Sequence, residues 1–449
     1  MGDNPKRLPQ IIGAIAATMG GFSLGTVIGW SSPAKAPLET EFNMTQDQFG
    51  WISSIMPLGA ASAQIYMAFT LDLFGRRLSM LIIAIPFVIG FLILALSNSF
   101  AMFCLGRFIT GFCGGAFCVA APTYIGEMAE KGIRGTLSVL FQLLLVIGIF
   151  LSYALGEFKD LYALTVPLLF GPSTLFGILL FLPESPVFLL KKGKTELAQK
   201  SLQFYRGKNY DISSEMKEIE EYSKIDTETF INRFKTRACI KGFLMLLGMH
   251  IVQQLSGINA VIFYAHDIFK QAGATMSDGV NAIILSLVQI VFTIVSAYMV
   301  DRVGRKILWI LSLSIMAGCL VVMGIYFMMK RNNEETAKDI AWLPLIIICL
   351  YLAGFSLGAG PLPWVMIGEF LHSTVKGRLG SFITCFNWLL AFVVTKLFEP
   401  LVNKVGADVV YWFFAIICGL GLAYVILFVI ETRNKTLEEI QIELGTPPQ

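Results

Sequence analysis

Six amide side chains and two indole rings stand inside long apolar stretches of the sequence. An amide offers both donors and an acceptor to hydroxyl groups, and an indole ring packs well on the C–H face of a sugar ring. Together these residue types predict a binding site for an uncharged polyol. The set consists of Gln142, Gln253, Gln254, Asn259, Gln289, Trp364, Asn387 and Trp388.

The elements that must position this set are membrane helices. Of the 449 residues, 55% are hydrophobic and 14% are charged, whereas soluble domains carry about 25% charged residues. A helix that crosses a bilayer needs about 20 mainly apolar residues, and the sequence contains twelve such stretches. We therefore expect an all-α membrane protein with twelve transmembrane helices and the lipid bilayer as its surroundings.

A buried amide has a second explanation at membrane depth. Amides also join neighbouring helices by hydrogen bonds worth about 1–2 kcal/mol, and for a single amide the two explanations are equally good. Polar groups are rare at that depth because hydrocarbon offers them no partners. The occurrence of eight such residues on a few stretches favours the binding site.

The distribution of basic residues predicts the orientation. Loops rich in Lys and Arg stay in the cytoplasm, and with the N-terminus inside, the cytoplasmic segments hold 25 basic residues and the outer segments eight. Both termini are therefore expected in the cytoplasm. A plasma-membrane location is expected because the N-terminus carries no acidic dileucine signal. Asn43-Met44-Thr45 then faces outside as a candidate N-glycosylation site.

One sizeable polar segment divides the twelve stretches into six and six. Apolar residues recur at helical spacing among its charges, which predicts short amphipathic helices below the membrane. A solvated charged loop is the alternative. The expected domains are an N-terminal six-helix bundle (1–182), a cytoplasmic helical linker (183–238), a C-terminal six-helix bundle (239–430) and a cytoplasmic tail (431–449).

Three short motifs recur in the same order in the two halves of the chain. A repeat of this kind is typical of carriers built from duplicated bundles. We therefore expect two pseudo-symmetric six-helix bundles. The motifs are DLFGRR at 72–77 and DRVGRK at 301–306, IGE at 125–127 and 367–369, and an acid followed by a hydroxyl residue at 184–185 and 431–432.

The acids and bases near these motifs predict ion pairs at the cytoplasmic ends of the helices. Anchoring in the membrane would explain the bases alone, but orientation depends little on Asp and Glu. We expect the pairs to hold the inner ends of the bundles together when the site faces out and to separate when it faces in. This cytoplasmic ion-pair lock would consist of Asp72, Arg76, Arg77, Glu127, Arg134, Glu184, Asp301, Arg305, Glu369, Lys376, Arg378 and Glu431.

With further motifs, the repeats resemble the sugar porter family of the major facilitator superfamily over essentially the whole chain. Within that family the sequence looks most like the insect facilitated trehalose and hexose transporters and the animal glucose facilitators. The resemblance is carried by the motifs above and by Gly106-Arg107, the stretch 122–135, PESP at 183–186, QQLSGIN at 253–259, GPLPW at 360–364 and TLEEI at 436–440.

The resemblance implies that the polar set, from Gln142 in the fifth helix to Trp388 in the eleventh, binds a hexose. The sequence departs from the family pattern where many members have an Asn, an acid, a Tyr and an Arg. These departures bear on the choice between monosaccharide and disaccharide more than on sugar binding itself. The residues at those positions here are Gln289, Ser356, Phe263 and Val187, respectively.

Glycine and proline interrupt the seventh and tenth helices. Proline removes helix hydrogen bonds, and membranes tolerate such breaks only beside protein or a wet cavity. The breaks are candidate outer and inner gates, with the aromatic pair after the helix-seven break as a lid. The expected gating residues are Phe263, Tyr264, Gly360, Pro361 and Pro363.

The first helix reads FSLGTVIGW at 22–30 and contains no acid or histidine there. The resemblance places the carboxylate of proton-coupled sugar porters at Gly25. We therefore expect facilitative uniport of trehalose or a hexose such as glucose, by alternating access. A proton-coupled sugar or glycoside symporter is the alternative, and His250 and Asp267 are the first groups to consider for it.

Other classes of protein fit the sequence less well. We do not expect an enzyme, because no paired carboxylates, nucleophile with its base, or phosphate-binding loop stands out. No cofactor, metal or nucleic-acid partner is expected either. A sugar sensor that signals through a long cytoplasmic tail is disfavoured, because the tail is short. We expect a monomer.

Overall fold

The computed structural model describes residues 5–225, 234–272, 277–433, 435 and 437–445. Within these ranges every regular element is a helix. Twelve helices or helix pairs are long and apolar enough to cross a membrane, which confirms the expected all-α protein with twelve spans. Because the number of spans is even, both termini lie at the same end of the molecule. We call this end the terminal face and the other end the opposite face.

The first half of the chain forms six spans, the sixth of which consists of two short helices joined by a 3-10 turn at Val166–Leu169. Within the described part of the connecting segment, three further short helices follow before the second half begins. The helices are α1 (Leu8–Glu41), α2 (Gln46–Phe74), α3 (Arg76–Ala95), α4 (Phe100–Met128), α5 (Lys131–Gly156), α6 (Leu161–Thr165), α7 (Phe170–Leu179), α8 (Pro186–Lys191), α9 (Thr195–Arg206) and α10 (Ser213–Ile225).

Small residues bring α1 very close to α5. A Cβ atom at Gly25 would lie 1.8 Å from the carbonyl oxygen of Leu145, and one at Gly148 would lie 2.1 Å from the carbonyl oxygen of Phe22. Glycine permits this approach of two backbones in a membrane. Position 25, where the resemblance places the acid of proton-coupled sugar porters, therefore has no room for a side chain.

The second half of the chain forms the other six spans. The same order of long helices returns, which gives the second of the two six-helix bundles. The described helices are α11 (Arg237–Leu255), α12 (Ile258–Phe263), α13 (Ala265–Ala272), α14 (Asp278–Val303), α15 (Arg305–Asn332), α16 (Glu334–Asp339), α17 (Leu343–Leu357), α18 (Leu362–Phe370), α19 (Ser373–Val405), α20 (Ala407–Phe428) and α21 (Leu437–Leu444).

Both expected helix interruptions are present. The seventh span changes direction at Gly257, whose φ of 90° is left-handed. A Cβ there would lie 2.5 Å from the Phe414 ring, so neither the backbone nor the space suits another residue. The tenth span stops at Leu357 and resumes at Leu362. The two interruptions lie close to each other, because Gln253 near the first donates hydrogen bonds to the carbonyl oxygens of Ala359 and Gly360 within the second.

The repeated motifs form the same structure in each bundle. In the first, the Glu184 carboxylate accepts hydrogen bonds from the backbone N–H groups of Arg76 and Arg77, both at 2.9 Å. It thereby caps the N-terminus of α3, whose unpaired N–H groups and dipole favour an anion. Arg76 also pairs with Glu127 at 2.7 Å, which ties α3 to the end of α4.

The second bundle repeats this arrangement. Glu431 accepts hydrogen bonds from the backbone N–H groups of Arg305 and Lys306, both at 3.0 Å. Arg305 pairs with Glu369 at 3.2 Å, and Thr432 donates to the same carboxylate at 2.6 Å. The three recurring motifs are therefore parts of one capping unit that occurs once in each bundle.

These ion pairs lie within each bundle, whereas the ion-pair lock was expected to act between the bundles. The exposed acids Asp72 and Asp301 also contact the arginine of their own turn, four residues later. Arg77 donates to the carbonyl oxygens of Leu179 and Leu180 in its own bundle. The physical reason is that each acid lies in the last turn of a helix, or just after one, within the same bundle as its partner.

The polar segment between the bundles contains the amphipathic helices α8, α9 and α10, as expected; residues 226–233 of the predicted linker lie outside the described residues. The linker docks on the first bundle. The Tyr124 hydroxyl lies 2.5 Å from that of Tyr205, and Arg206 donates to the carbonyl oxygen of Met128 at 2.9 Å. Burial raises the pKa of Tyr205, so its hydroxyl stays protonated and available for hydrogen bonding.

We predict that Gly304→Ala destabilises the protein. The φ of Gly304 is 106°, and a Cβ there would lie 2.6 Å from the Glu431 carboxylate. Residues held at such angles cost about 1–3 kcal/mol, and the cap would also be displaced. Thermal unfolding of the purified protein measures the effect. Gly318→Ala is the matched control, because a Cβ at Gly318 meets nothing within 4 Å; equal melting temperatures for both variants would contradict the prediction.

Candidate functional site

Four amides of the predicted polar set form one hydrogen-bonded group, which we call the amide network. Gln253 and Gln254 end α11, Asn259 begins α12, and Asn387 lies in α19. Gln254 Nε2 donates to Asn387 Oδ1 at 2.8 Å, and Asn387 Nδ2 donates to Gln253 Oε1 at 2.9 Å. Asn259 Nδ2 donates to Gln254 Oε1. The break in the seventh span thus places three amides against a fourth.

The amide network also reaches the break in the tenth span. Gln253 Nε2 donates to the carbonyl oxygens of Ala359 and Gly360, at 2.7 and 2.9 Å. These carbonyls have lost their helical partners because the chain is not helical between α17 and α18. One side chain therefore connects both broken helices, and any movement of either break must change its hydrogen bonds.

His250 links the predicted Trp364 to the amide network. His250 Nδ1 lies 2.9 Å from Asn387 Nδ2, so Nδ1 accepts a hydrogen bond and the ring is neutral. The ring centroid lies 4.9 Å from that of Trp364 in an edge-to-face contact. These contacts give His250 a supporting role beside the amide network. The sequence offered one signal for this position: His250 lies three and four residues before Gln253 and Gln254, which places all three side chains on one face of a helix.

Three members of the predicted set stand apart from the amide network. Gln142 lies in α5 and Gln289 in α14, two helices that pack against each other where the bundles meet. Trp388 follows Asn387 in α19, is 6% exposed, and its Nε1 has no partner within the described residues. The structure thus divides the set into a connected group in the second bundle and separate groups near the interface.

The expected lid residues are closed against the first bundle. Phe263 and Tyr264 are each 1% exposed, and the Tyr264 ring packs 5.8 Å from Phe49 of α2. Tyr153 of α5 donates its hydroxyl hydrogen to the carbonyl oxygen of Ile262 at 2.7 Å. Tyr264 and Ile262 therefore join the seventh span to α2 and α5 of the first bundle near the opposite face.

Ser32 and His266 form a further bond between the bundles that the sequence did not reveal. The Ser32 hydroxyl lies 2.6 Å from His266 Nδ1 and accepts from the His266 backbone N–H at 3.0 Å. Burial lowers the pKa of His266, which keeps the imidazole neutral and able to accept. The two residues are 234 positions apart, so no local pattern could have indicated their contact.

Arg107 is a second buried group for which the sequence assigned no partners. It is 0% exposed and donates to the carbonyl oxygen of Val27 at 2.6 Å and to the Ser31 hydroxyl at 2.7 Å. Its guanidinium also lies 5.0 Å from the Trp30 ring. Arg107 therefore holds α4 against the first helix through neutral groups.

Two repeated six-helix bundles, the second of which contains two broken helices joined by a neutral amide network, define a membrane carrier of the major facilitator type. The model of the family described as sugar (and other) transporter matches residues 10–444. The chain belongs to this family.

Relatives and a solved structure agree with this assignment. The facilitated trehalose transporter Tret1 of Polypedilum vanderplanki is 36% identical, covering 96% of this chain and 87% of its own. Tret1 of Bombyx mori is 35% identical, covering 97% and 86%, respectively. The proton:xylose symporter XylE of E. coli has a TM-score of 0.81 at 24% identity, covering 97% of this chain and 99% of its own, which shows the shared fold.

We predict that Gln253→Ala lowers sugar uptake by at least about tenfold. The variant would remove several hydrogen bonds, each worth about 1 kcal/mol, and tenfold corresponds to about 1.4 kcal/mol. Uptake normalised to protein at the membrane measures the effect. Gln64→Ala is the matched control, because Gln64 is equally buried and joins α2 to α4 through the carbonyl oxygen of Gly115. Unchanged uptake by Gln253→Ala would rule out the amide network as the sugar site.

Proposed function

We propose that the protein is a facilitative transporter of trehalose, or of a hexose such as glucose, that works by alternating access. The observation that carries the proposal is the uncharged amide network between two broken helices. Amides can exchange their hydrogen bonds with one another for bonds to sugar hydroxyls, and the site contains no charge that would demand an ion. The names of the Tret1 relatives support trehalose as the first sugar to test.

The first helix supports uniport over proton coupling. A symporter needs a carboxylate that is alternately shielded and exposed within the membrane, and the backbone of α5 occupies the space next to Gly25 where such a side chain would project. Proton-coupled transport of a sugar or glycoside is the alternative, since XylE shares the fold and is named a proton symporter.

We further propose the arrangement in the cell that the basic residues predict. The terminal face lies in the cytoplasm of a plasma-membrane protein, and the chain acts as a monomer. The domains run from 1 to 182, 183 to 238, 239 to 430 and 431 to 449. The polar set supplies the substrate contacts: the amide network and Trp364 in the second bundle, with Gln142, Gln289 and Trp388 near the interface.

Transport by the purified full chain in liposomes tests this function. We expect saturable entry of radiolabelled trehalose or glucose that stops when the two sides are equal and does not respond to an imposed proton gradient. The sugar with the larger ratio of maximal rate to half-saturation concentration identifies the substrate. Accumulation above the outside concentration under a proton gradient would instead establish symport, and no entry of either sugar would contradict both proposals.

We predict that Asn43 carries an N-linked glycan when the chain passes through a eukaryotic secretory pathway. Asn43 is exposed in the loop between α1 and α2 with a φ of 52°, and Thr45 completes the acceptor triplet. A glycosidase should lower the apparent mass of the wild type and of Thr45→Ser, which keeps both the acceptor and the hydroxyl that caps α2. It should not change that of Asn43→Gln; a glycosidase-resistant wild type would contradict both the glycan and the orientation.

A further inference from the structure

Three charged residues from the two bundles meet at the opposite face. Lys35 Nζ of α1 lies 2.7 Å from Glu399 Oε1 of α19 and 2.8 Å from Asp267 Oδ2 of α13. Glu39, one turn along α1, adds a weaker contact to Lys35 at 3.8 Å. One ammonium group of the first bundle is therefore shared by two carboxylates of the second. We call Lys35, Asp267 and Glu399 the outer latch.

The outer latch is largely shielded from water, and Asp267 is its most exposed member at 22%. The side chains of Lys35 and Glu399 are only 9% and 10% exposed. Lys35 Nζ also lies 5.1 Å from the centre of the Phe49 ring and 5.8 Å from that of Tyr264. Charges in such surroundings are weakly screened, and removing one partner leaves an uncompensated buried charge. Separation of the bundles at this end must therefore rehydrate all three groups.

A second ion pair between the bundles provides an internal comparison. Lys396 of α19 lies 2.8 Å from Asp47 of α2. The Asp47 side chain is 76% exposed, and exposed pairs contribute little because water screens both charges. The outer latch and this exposed pair thus connect the same two bundles at the same face. Only the largely buried latch can strongly favour the closed arrangement.

The outer latch is connected to the amide network through a short piece of chain. Asn259 lies in the first turn of α12, and Asp267 lies in α13, which follows α12 after a single residue. The Gly257 turn separates both short helices from α11. A shift of α12 when a sugar replaces the hydrogen bond of Asn259 would therefore also move Asp267 relative to Lys35.

We propose that the outer latch sets the balance between the outward-open and inward-open forms of the carrier, with Lys35 as the residue that positions α13 against the first bundle. This inference rests on the proposed function, which supplies the alternating access and the orientation. Neither the lid nor the ion-pair lock predicted from the sequence includes Lys35 or Glu399. The proposal adds an electrostatic contact between the bundles to the aromatic contacts of the predicted lid.

Lys35→Met tests the proposal, because Met keeps most of the apolar stem and removes the charge. The acids Glu39, Asp267 and Glu399 would then repel one another, and the outward-open form would gain population. The apparent affinity measured from one side of the membrane is proportional to the population of the form that is open to that side. We expect the ratio of the inside to the outside half-saturation concentration to rise by about tenfold, as a 1.4 kcal/mol shift produces.

Influx into cells and efflux from inside-out vesicles give the two half-saturation concentrations. The ratio of maximal rate to half-saturation concentration should stay equal in the two directions, as every passive carrier requires. Amide hydrogen exchange of residues 258–272 in the purified full chain should become faster, which reports the release of α12 and α13. If Lys35 had only a structural role, Lys35→Met would lower the melting temperature without changing the ratio of the inside to the outside half-saturation concentration.

Lys396→Met is the matched control, and it should leave the ratio of the two half-saturation concentrations and the exchange near their wild-type values. The double variant Lys35→Glu with Glu399→Lys should restore much of the wild-type half-saturation ratio and of the wild-type hydrogen exchange, because the lysine again lies beside acids. Glu399→Gln gives a second test if Lys35→Met does not fold. An unchanged ratio and exchange in a folded latch variant would overturn the inference, whereas a wild type that transports no sugar would overturn the proposed function.

Discussion

The structure depends on one constraint: hydrocarbon offers no hydrogen-bonding partners, so every polar group inside the membrane must find one in the protein or in a ligand. Arg107 finds its partners in the carbonyl oxygen of Val27 and the Ser31 hydroxyl. The amides of the second bundle find theirs in one another. Because each amide both donates and accepts, the amides pair with one another and with the carbonyl oxygens of Ala359 and Gly360 without any charge.

In the proposed function, the amide network both joins the two broken helices and binds the sugar. Gln253 connects α11 to the carbonyl oxygens of Ala359 and Gly360, which are available only because the tenth span is interrupted. A polyol can replace such bonds one for one, so its entry need not leave a buried group unpaired. The same replacement releases one broken helix from the other, which relates sugar binding to movement.

Some ion pairs stabilise each bundle internally, whereas other polar contacts join the two bundles. Glu184 and Glu431 each cap a helix within one bundle, so these ion pairs make each bundle a stable unit. The bonds of Lys35, Ser32 and Tyr153 instead cross between the bundles near the opposite face. Bonds of this kind join two units that are each held together internally, and this distribution suits a carrier whose halves move relative to each other.

The sequence by itself determined the twelve spans, the repeat, the two helix interruptions and the types of residue in the polar set. These features follow from local composition: apolar length, Gly and Pro positions, and motif order. It could not determine which acids pair, that Gly25 lies against α5, or that Ser32 reaches His266. Those facts depend on the packing of helices that are far apart in the chain. The grouping of four amides with His250, and the meeting of Lys35 with Asp267 and Glu399, were decided only by the tertiary structure, because hydrogen bonds and ion pairs are set by distances of a few ångströms that no spacing in the sequence encodes.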